Sequence, residues 1–248
     1  MAEVLGWTPK LAVVAETDRA RVLATWAEAC GGVTPGEVVV PFADVRRMPP
    51  EAFVAFLKDT LGVSGIVAGS DYRFGFKAAG TAEALRTIGE AMGLDVTVVD
   101  LLPSGEDGES GEHLAAACEL DAKDATAQVS STRVRACLAA GDVEQAARLL
   151  GRPHRLVLDV ASADAVSTTQ SRGSETATFP LCAAQNQYPA CGTYEGVLPN
   201  DGDGVATNER SVRVTVEVTE TDVAVTAPRA ADLAAFAGGV DLVSRARR

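Results

Sequence analysis

The 248-residue chain sets 22 Lys and Arg against 34 Asp and Glu, a formal net charge of −12, and 47% of its residues are hydrophobic. That supply of apolar residues can fill a sizeable core, and a sequence pI near 4.6 excludes the basic footprint needed for non-specific nucleic-acid binding or attraction to an anionic membrane. No apolar run approaches the roughly 18 residues of a membrane span, and Met1 to Trp7 reads as neither a signal nor a transit peptide.

Met1 to Val14 reads as an irregular lead-in. Thr17 and Asp18 are helix-capping residue types, and Val22, Leu23, Trp26 and Cys30 keep a helical stripe until Gly31-Gly32 stop it. Val38-Val39-Val40-Pro41-Phe42 predicts a short strand covered on both faces. Pro49-Pro50 opens a second helix, with Phe53, Val54, Leu57 and Leu61 inward and Gly62 at its end. Val63 to Ala68 is the next strand, and it feeds a loop from Gly69 to Gly80 with three glycines and three aromatics, the kind of loop that follows strands at ligand sites. Thr81 caps a helix with Leu85, Ile88 and Met92 inward and Gly93 as its stop; Asp95 to Leu102 is another strand. This alternation predicts a parallel α/β sheet.

Pro103 to Gln128, rich in Gly, Ser, Asp, Glu and Ala, reads as a mobile acidic insertion. It leads to Ser130-Ser131-Thr132-Arg133-Val134-Arg135, where hydroxyl residues run into a helix carrying two arginines. The first N–H groups of a helix lack partners and its dipole favours an anion there, so phosphate binds readily at such a terminus. A guanidinium adds two parallel charge-assisted hydrogen bonds. Arginines in a first turn oppose the dipole, which a bound anion would explain; an ordinary cap followed by a solvated basic turn is the other reading of the string alone.

Asp142 and Gln145 predict a capping pair for a helix from Val143 to Leu150, ended by Gly151 and Pro153. After His154 the composition turns β-rich: a strand from Arg155 to Val160, a loop over Ala161 to Ala177, alternating Val212, Val214, Val216 and Val218, then Val223 to Thr226. Ala230 to Ala237 reads as a short helix and Arg245 to Arg248 as a solvated basic tail. The five cysteines are odd in number and lack C-x-x-C spacing, which argues against a disulfide framework or a zinc site and for a reducing compartment. His113 and His154 read as surface or packing residues, and no metal ligands are assigned.

Val129 to Arg135 resembles the ISSTxxR signature of the nucleotidyltransferase superfamily. Its continuation through Ala140 to Glu144 and Leu149 to Pro153 is similar to bacterial-type FAD synthetases. Gly69-Ser70-Asp71-Tyr72-Arg73-Phe74-Gly75, with Lys77, Ala79 and Gly80, resembles the flavin loop of that family, and Met1 to Val45 is similar to an internal region of plant-type, organellar members. The resemblance implies a Rossmann-like nucleotidyltransferase domain over residues 1–154, containing the insertion 103–128. It also implies a degenerate riboflavin kinase barrel over residues 155–248. It implies ATP-phosphate binding by Ser130, Ser131, Thr132, Arg133 and Arg135, with catalysis resting on Arg135, Ser131 and Thr132. Flavin binding falls to Gly69, Asp71, Arg73, Phe74 and Gly75; Phe76, which the motif does not require, reads as a core residue.

Two departures are visible. The family's H-x-G-H turn has no counterpart here, so the parallel sheet is expected to lack its first strand segment, Met1 to be an internal methionine, and residues 1–248 alone to be loosely packed and inactive. The kinase P-T-A-N motif is replaced by Pro180-Leu181-Cys182-Ala183, although Tyr188 to Tyr194 still resembles the start of a barrel strand. The expected reaction is AMP transfer from ATP to FMN, with Mg2+ on the polyphosphate, no protein partner, no nucleic acid and no membrane, in the chloroplast stroma or another organelle. A non-catalytic flavin-nucleotide binder and a bifunctional kinase/synthetase are the rival readings.

Overall fold

The structure is a computed structural model that describes residues 10–101, 128–161, 167–171, 173–198, 211–229 and 238–246, together with Gly6, Asp232, Leu233 and Phe236. The chain divides into two compact units, one of Met1–Pro9 and Val38–Pro103, the other of Lys10–Glu37 and Ser104–Arg248. Most of the acidic segment 103–128 with His113, most of Ala230 to Ala237, and the last two residues lie outside the described residues.

The leading segment of the second unit holds a 3-10 turn, Glu16–Asp18, that runs into helix α1, Arg19–Ala24. The stripe expected to reach Cys30 stops at Ala24; residues 25–32 continue as turns, leaving Trp26 and Cys30 exposed. Asp18 does not cap the helix, because its carboxylate takes two hydrogen bonds from Arg21, at 2.6 and 2.7 Å. A six-residue helix without a cap is marginal unless packed, and the sequence stripe alone does not provide that packing.

In the first unit the strand expected at 38–42 is extended chain without a partner among the described residues, and Val38 and Val39 are 73% and 71% exposed. β-branched residues favour extension, but a strand also needs a neighbour. The chain then forms α2, Phe42–Val45, and α3, Pro50–Asp59, whose Pro50 fills the first turn where its missing N–H is harmless. Val54 is fully buried and Gly62, at φ 68°, turns the chain as expected. Strands β1, Gly65–Gly69, β2, Arg73–Phe74, and β3, Gly80–Thr81, lead to α4, Ala82–Ala91, and β4, Asp95–Val99. β1 and β4 pair in parallel, and β2 pairs antiparallel with β3. Thr81 caps α4 by accepting from the Ala84 N–H at 3.1 Å. The core joins Val54, Phe74, Leu85 and Leu94, with Ile66, Ile88 and Val96 packed on it.

In the second unit α5, Ser131–Ala140, and α6, Val143–Leu150, precede a seven-stranded antiparallel sheet. Its strands are β5, His154–Val157, β6, Ser167–Ser171, β7, Ser174–Pro180, β8, Gly192–Leu198, β9, Val212–Val218, β10, Asp222–Ala227, and β11, Gly239–Arg245. The order is β5-β11-β8-β9-β10-β7-β6. The valine alternation of β9 holds, with Val214, Val216 and Val218 buried beside Tyr194, Val225 and Leu242. The loop expected over Ala161 to Ala177 is corrected: β6 and the start of β7 form a hairpin there, turned at Gly173 with φ 92°. Their Ser/Thr side chains hide the strand signal, yet they serve it, as Thr176 and Thr226 share a 2.8 Å hydroxyl hydrogen bond across the ladder. β11 has no counterpart among the predicted elements.

The fold is thus mixed α/β, a small parallel pair in one unit and a separate antiparallel sheet in the other. No helix of the described residues is long and apolar enough to cross a membrane.

Candidate functional site

The glycine-rich loop lies in the first unit and the hydroxyl–arginine helix in the second. Gly69 ends β1, and the chain turns at once: the Tyr72 N–H donates to the Gly69 carbonyl at 3.0 Å and the Ser70 N–H to Val99 at 2.9 Å. Asp71 and Arg73 are exposed, with their side chains at the surface of the turn. Phe74 instead points into the core at 5% exposure, its ring stacked on Tyr72 at 5.6 Å and tilted against Phe53 at 5.7 Å. Of the residues expected to bind flavin, Phe74 is thus a core residue in this structure.

Gly75 has φ 74°, and a Cβ there would come within 3.0 Å of the Pro50 nitrogen, so this position has neither the conformation nor the room for a side chain. Phe76, read as a core residue, is 46% exposed, with Lys77 Nζ 5.5 Å from its ring. Its backbone explains the correction: the Phe76 N–H is drawn to the Met48 carbonyl at 2.7 Å, and Lys77 and Ala78 follow at φ 55° and 57°, which turns the ring outward.

In the second unit Ser130 caps α5 by accepting from the Arg133 N–H at 3.3 Å. Ser131 is exposed and Thr132 half-buried at the first turn. Arg133 is 9% exposed and reaches the Gln128 carbonyl at 3.5 Å. Arg135 donates through Nη1 to the Ser131 carbonyl at 3.3 Å and through Nη2 to the Leu11 carbonyl at 3.4 Å, while its buried Nε has no partner. Neither arginine has an ion pair among the described residues, and the first turn of α5 contains no acidic residue. Among the described residues the two guanidinium groups are thus held by backbone carbonyls alone, and one buried guanidinium N–H has no partner.

Behind this turn the thiol of Cys137 is fully buried and pushed up to about 11, by burial first and by the negative charge of Asp142 second. It is a packing residue. Asp142 caps α6, accepting from the Gln145 N–H at 2.8 Å. Past α6, His154 is 1% exposed, donates to the Gln187 carbonyl at 2.7 Å, and has its pKa lowered to about 4 by burial, the packing residue of the two alternatives its sequence context left open. Nearby, Arg155 bridges Asp241 at 2.8 Å and Asp18 at 3.7 Å. Asn186, 1% exposed, donates to the carbonyls of Val13 and Arg155 and accepts from the Val157 N–H.

Leu181-Cys182-Ala183, expected from the resemblance to replace a kinase triplet, forms a 3-10 turn in which the Leu181 N–H donates to the Thr221 carbonyl at 2.7 Å. The turn offers no hydroxyl or amide side chain. Sequence reasoning missed Asn186 and Arg245, whose positions carry no motif; both act on backbone carbonyls far away in sequence, which local pattern does not reveal.

Residues 24–110 match the family model described as FAD synthetase. The chain is 40% identical over 218 residues to FAD synthetase 2, chloroplastic, of Arabidopsis thaliana, covering 88% of this chain and 55% of that protein. It is 38% identical over 206 residues to FAD synthetase 1, chloroplastic, of the same plant, covering 79% and 54%. The bifunctional riboflavin kinase/FMN adenylyltransferase of Pseudomonas fluorescens is 31% identical over 159 residues, with coverage of 64% and 43%. The chain therefore spans about half the length of the curated relatives it matches. Among solved structures, one titled as a macrolide-efflux protein from Streptococcus pneumoniae aligns with a TM-score of 0.51 at 20% identity, covering 83% of this chain and 58% of that one, a likeness of fold alone. The resemblance to FAD synthetases drawn from the two motifs is borne out.

Proposed function

We propose, from that likeness as premise, that this chain carries most of the machinery of an FMN adenylyltransferase, with ATP and FMN as substrates and FAD and pyrophosphate as products. The observation that carries this reading is the start of α5, where Arg133 and Arg135 lie near the positive end of the helix dipole with no carboxylate partner among the described residues and Arg135 Nε stands unused. In the proposed reaction a phosphate oxygen of FMN attacks the α-phosphorus of ATP in line, and the bond to the bridging oxygen of pyrophosphate breaks. The nucleophile is already an anion at neutral pH, so no general base is required; positioning and charge stabilisation supply the acceleration.

Ser131, Thr132 and Arg135, with Ser130 and Arg133, hold the ATP phosphates in this reading, and Gly69, Asp71, Arg73, Phe74 and Gly75 form the flavin site. Among the described residues no cluster of three or more His, Cys, Asp or Glu presents itself to a metal. In this reading Mg2+ would accompany ATP and neutralise its polyphosphate charge. The domain of residues 1–154 would be Rossmann-like and residues 155–248 a riboflavin kinase-like barrel without kinase chemistry, in a plant-type enzyme placed in the chloroplast as its relatives' names say of them.

The test is a product assay on the purified full-length protein. FMN with ATP is expected to yield FAD, and riboflavin with ATP to yield no FMN, since Leu181-Cys182-Ala183 replaces the kinase triplet. FMN formation would restore the bifunctional reading, and flavin binding without FAD formation would favour the non-catalytic one.

A further inference from the structure

α5 ends at Ala140 with Gly141 in the left-handed conformation at φ 78°. The Gly141 N–H closes on Leu138 at 2.9 Å, the Asp142 N–H on Cys137 at 2.9 Å, and the Ala190 N–H of the sheet unit reaches Leu138 at 2.8 Å. The Ala140 carbonyl is satisfied from elsewhere. The last turn of α5 has no basic residue of its own; the cation at its end is Arg245, on the final strand, whose Nη1 donates to Ala140 at 3.0 Å. Nη2 donates to the Cys191 carbonyl at 3.1 Å, and the guanidinium lies 5.8 Å from the Tyr194 ring centroid. Tyr194 is itself tied to the Ala190 carbonyl through its hydroxyl at 2.6 Å.

Two features mark this contact. The pairing of β11 with β8 shifts register between Leu242 and Ser244, just before Arg245, and such an irregularity re-aims the side chains that follow it. Gly192 has ordinary backbone angles, yet a Cβ there would stand 3.1 Å from Arg245 Nη2, so the space is kept for the guanidinium. A cation at a helix C-terminus stabilises the dipole, and hydrogen bonding to the last carbonyl fixes where the helix lies along its axis.

We propose that Arg245 is a positioning residue for adenylyl transfer: from the β-rich sheet it sets the axial position of α5, and through it the Ser131, Thr132 and Arg135 groups at the opposite end. The proposal rests on the phosphate-grip reading above, and it gives the antiparallel sheet, which has lost kinase chemistry in that reading, a role in the transferase step. Small displacements of a positioning element cost rate steeply.

The test uses the full-length protein with Arg245→Met, which keeps the length of the side chain without its charge, and Arg245→Lys, which keeps the charge but reaches one carbonyl at a time. Arg245→Met is expected to lower kcat/KM for ATP about tenfold while KM for FMN stays within about twofold. Arg245→Lys is expected to recover at least about a third of the loss. A merely structural arginine would shift both substrates together and show no rescue by lysine, and that result overturns the proposal, as does a parental kcat/KM for ATP in Arg245→Met. Should Arg245→Met fail to fold, Arg245→Lys decides alone: an ATP-specific fall of about threefold supports the proposal, and parental values or an equal change for FMN overturn it. A parental protein that forms no FAD overturns both this inference and the reading beneath it, whereas FAD formation with indifferent Arg245 variants overturns the inference alone.

Discussion

α5 and α6 are successive helices of one unit, each begun by a side-chain cap and ended by a left-handed glycine, yet their charges run in opposite senses. α6 has Asp142 as its cap, Glu144 in its first turn and Arg148 in its last, all of which the dipole favours. α5 has Arg133 and Arg135 where α6 has its acid, and no base of its own at the far end. Its cap is the longer bond, 3.3 Å against 2.8 Å. α6 is thus arranged for its own stability, while α5 takes an electrostatic cost at its start and relies on Arg245 at its finish. A helix that violates local rules in this way is the expected place for a ligand.

Substitution at the two ends that break or obey the rule is the strongest way to separate them. Arg135→Ala in the full-length protein is expected to lower FAD formation by about 10²- to 10³-fold, with Arg135→Lys intermediate because it loses two-pronged bonding. Arg148→Ala, at the dipole-favoured end of α6, is expected to leave the rate within about twofold. If Arg135→Ala matches the parent at saturating ATP, the charge inversion of α5 has no bearing on phosphate.

Next in size is the joint where α6 passes through Gly151 into β5. His154 holds its proton off until about 4 in the fold, whereas the unfolded chain takes one up near 6.5. The stability this burial contributes is therefore complete above about pH 6.5 and declines as pH falls toward about 4, by up to about 3 kcal/mol. Urea titrations across that range should show the decline, and His154→Gln, which keeps an N–H donor, should flatten it. An unchanged slope in His154→Gln would assign the acid sensitivity to other groups.

The smallest effects compare the caps. Asp142→Ala is expected to cost about 1 kcal/mol of stability with little change in rate, whereas Ser130→Ala, losing a longer bond, should cost less stability and more activity. Equal effects of the two substitutions on both readouts would erase the contrast between the helices.

Much of this arrangement is legible in the sequence where the signal is local. Thr81, Ser130 and Asp142 cap the helices they precede, Gly62, Gly93 and Gly151 turn the chain at positive φ after helices, and the valine alternation of β9 marks its buried face. The failures share a cause: Val38 to Phe42 has strand composition but no strand partner among the described residues, β6 and β7 have a partner but polar composition, and the helix at Arg19 loses its cap to the Asp18–Arg21 pair. Each outcome was decided by the partner a segment found or lacked rather than by its own composition. In the candidate site the residue types of the phosphate turn are readable, but the unused Nε of Arg135, the inward Phe74 and the outward Phe76 depend on packing that spacing does not encode.

The stitching around Asn186 has a consequence for the order in which the molecule assembles. Val13 and Thr17 find their partners 173 and 168 residues downstream, at Asn186 and Gln185, and Asp18 is completed through Arg155 by Asp241. Contacts of such separation form late, since the loop they close must be ordered before they repay it. During synthesis at about 5–20 residues per second, the segment around Val13 leaves the ribosome on the order of 10–30 s before Asn186 exists. A part of the chain made early thus takes its final place after the sheet that receives it, and a nascent chain halted short of β8 would carry residues 10–24 without their seat.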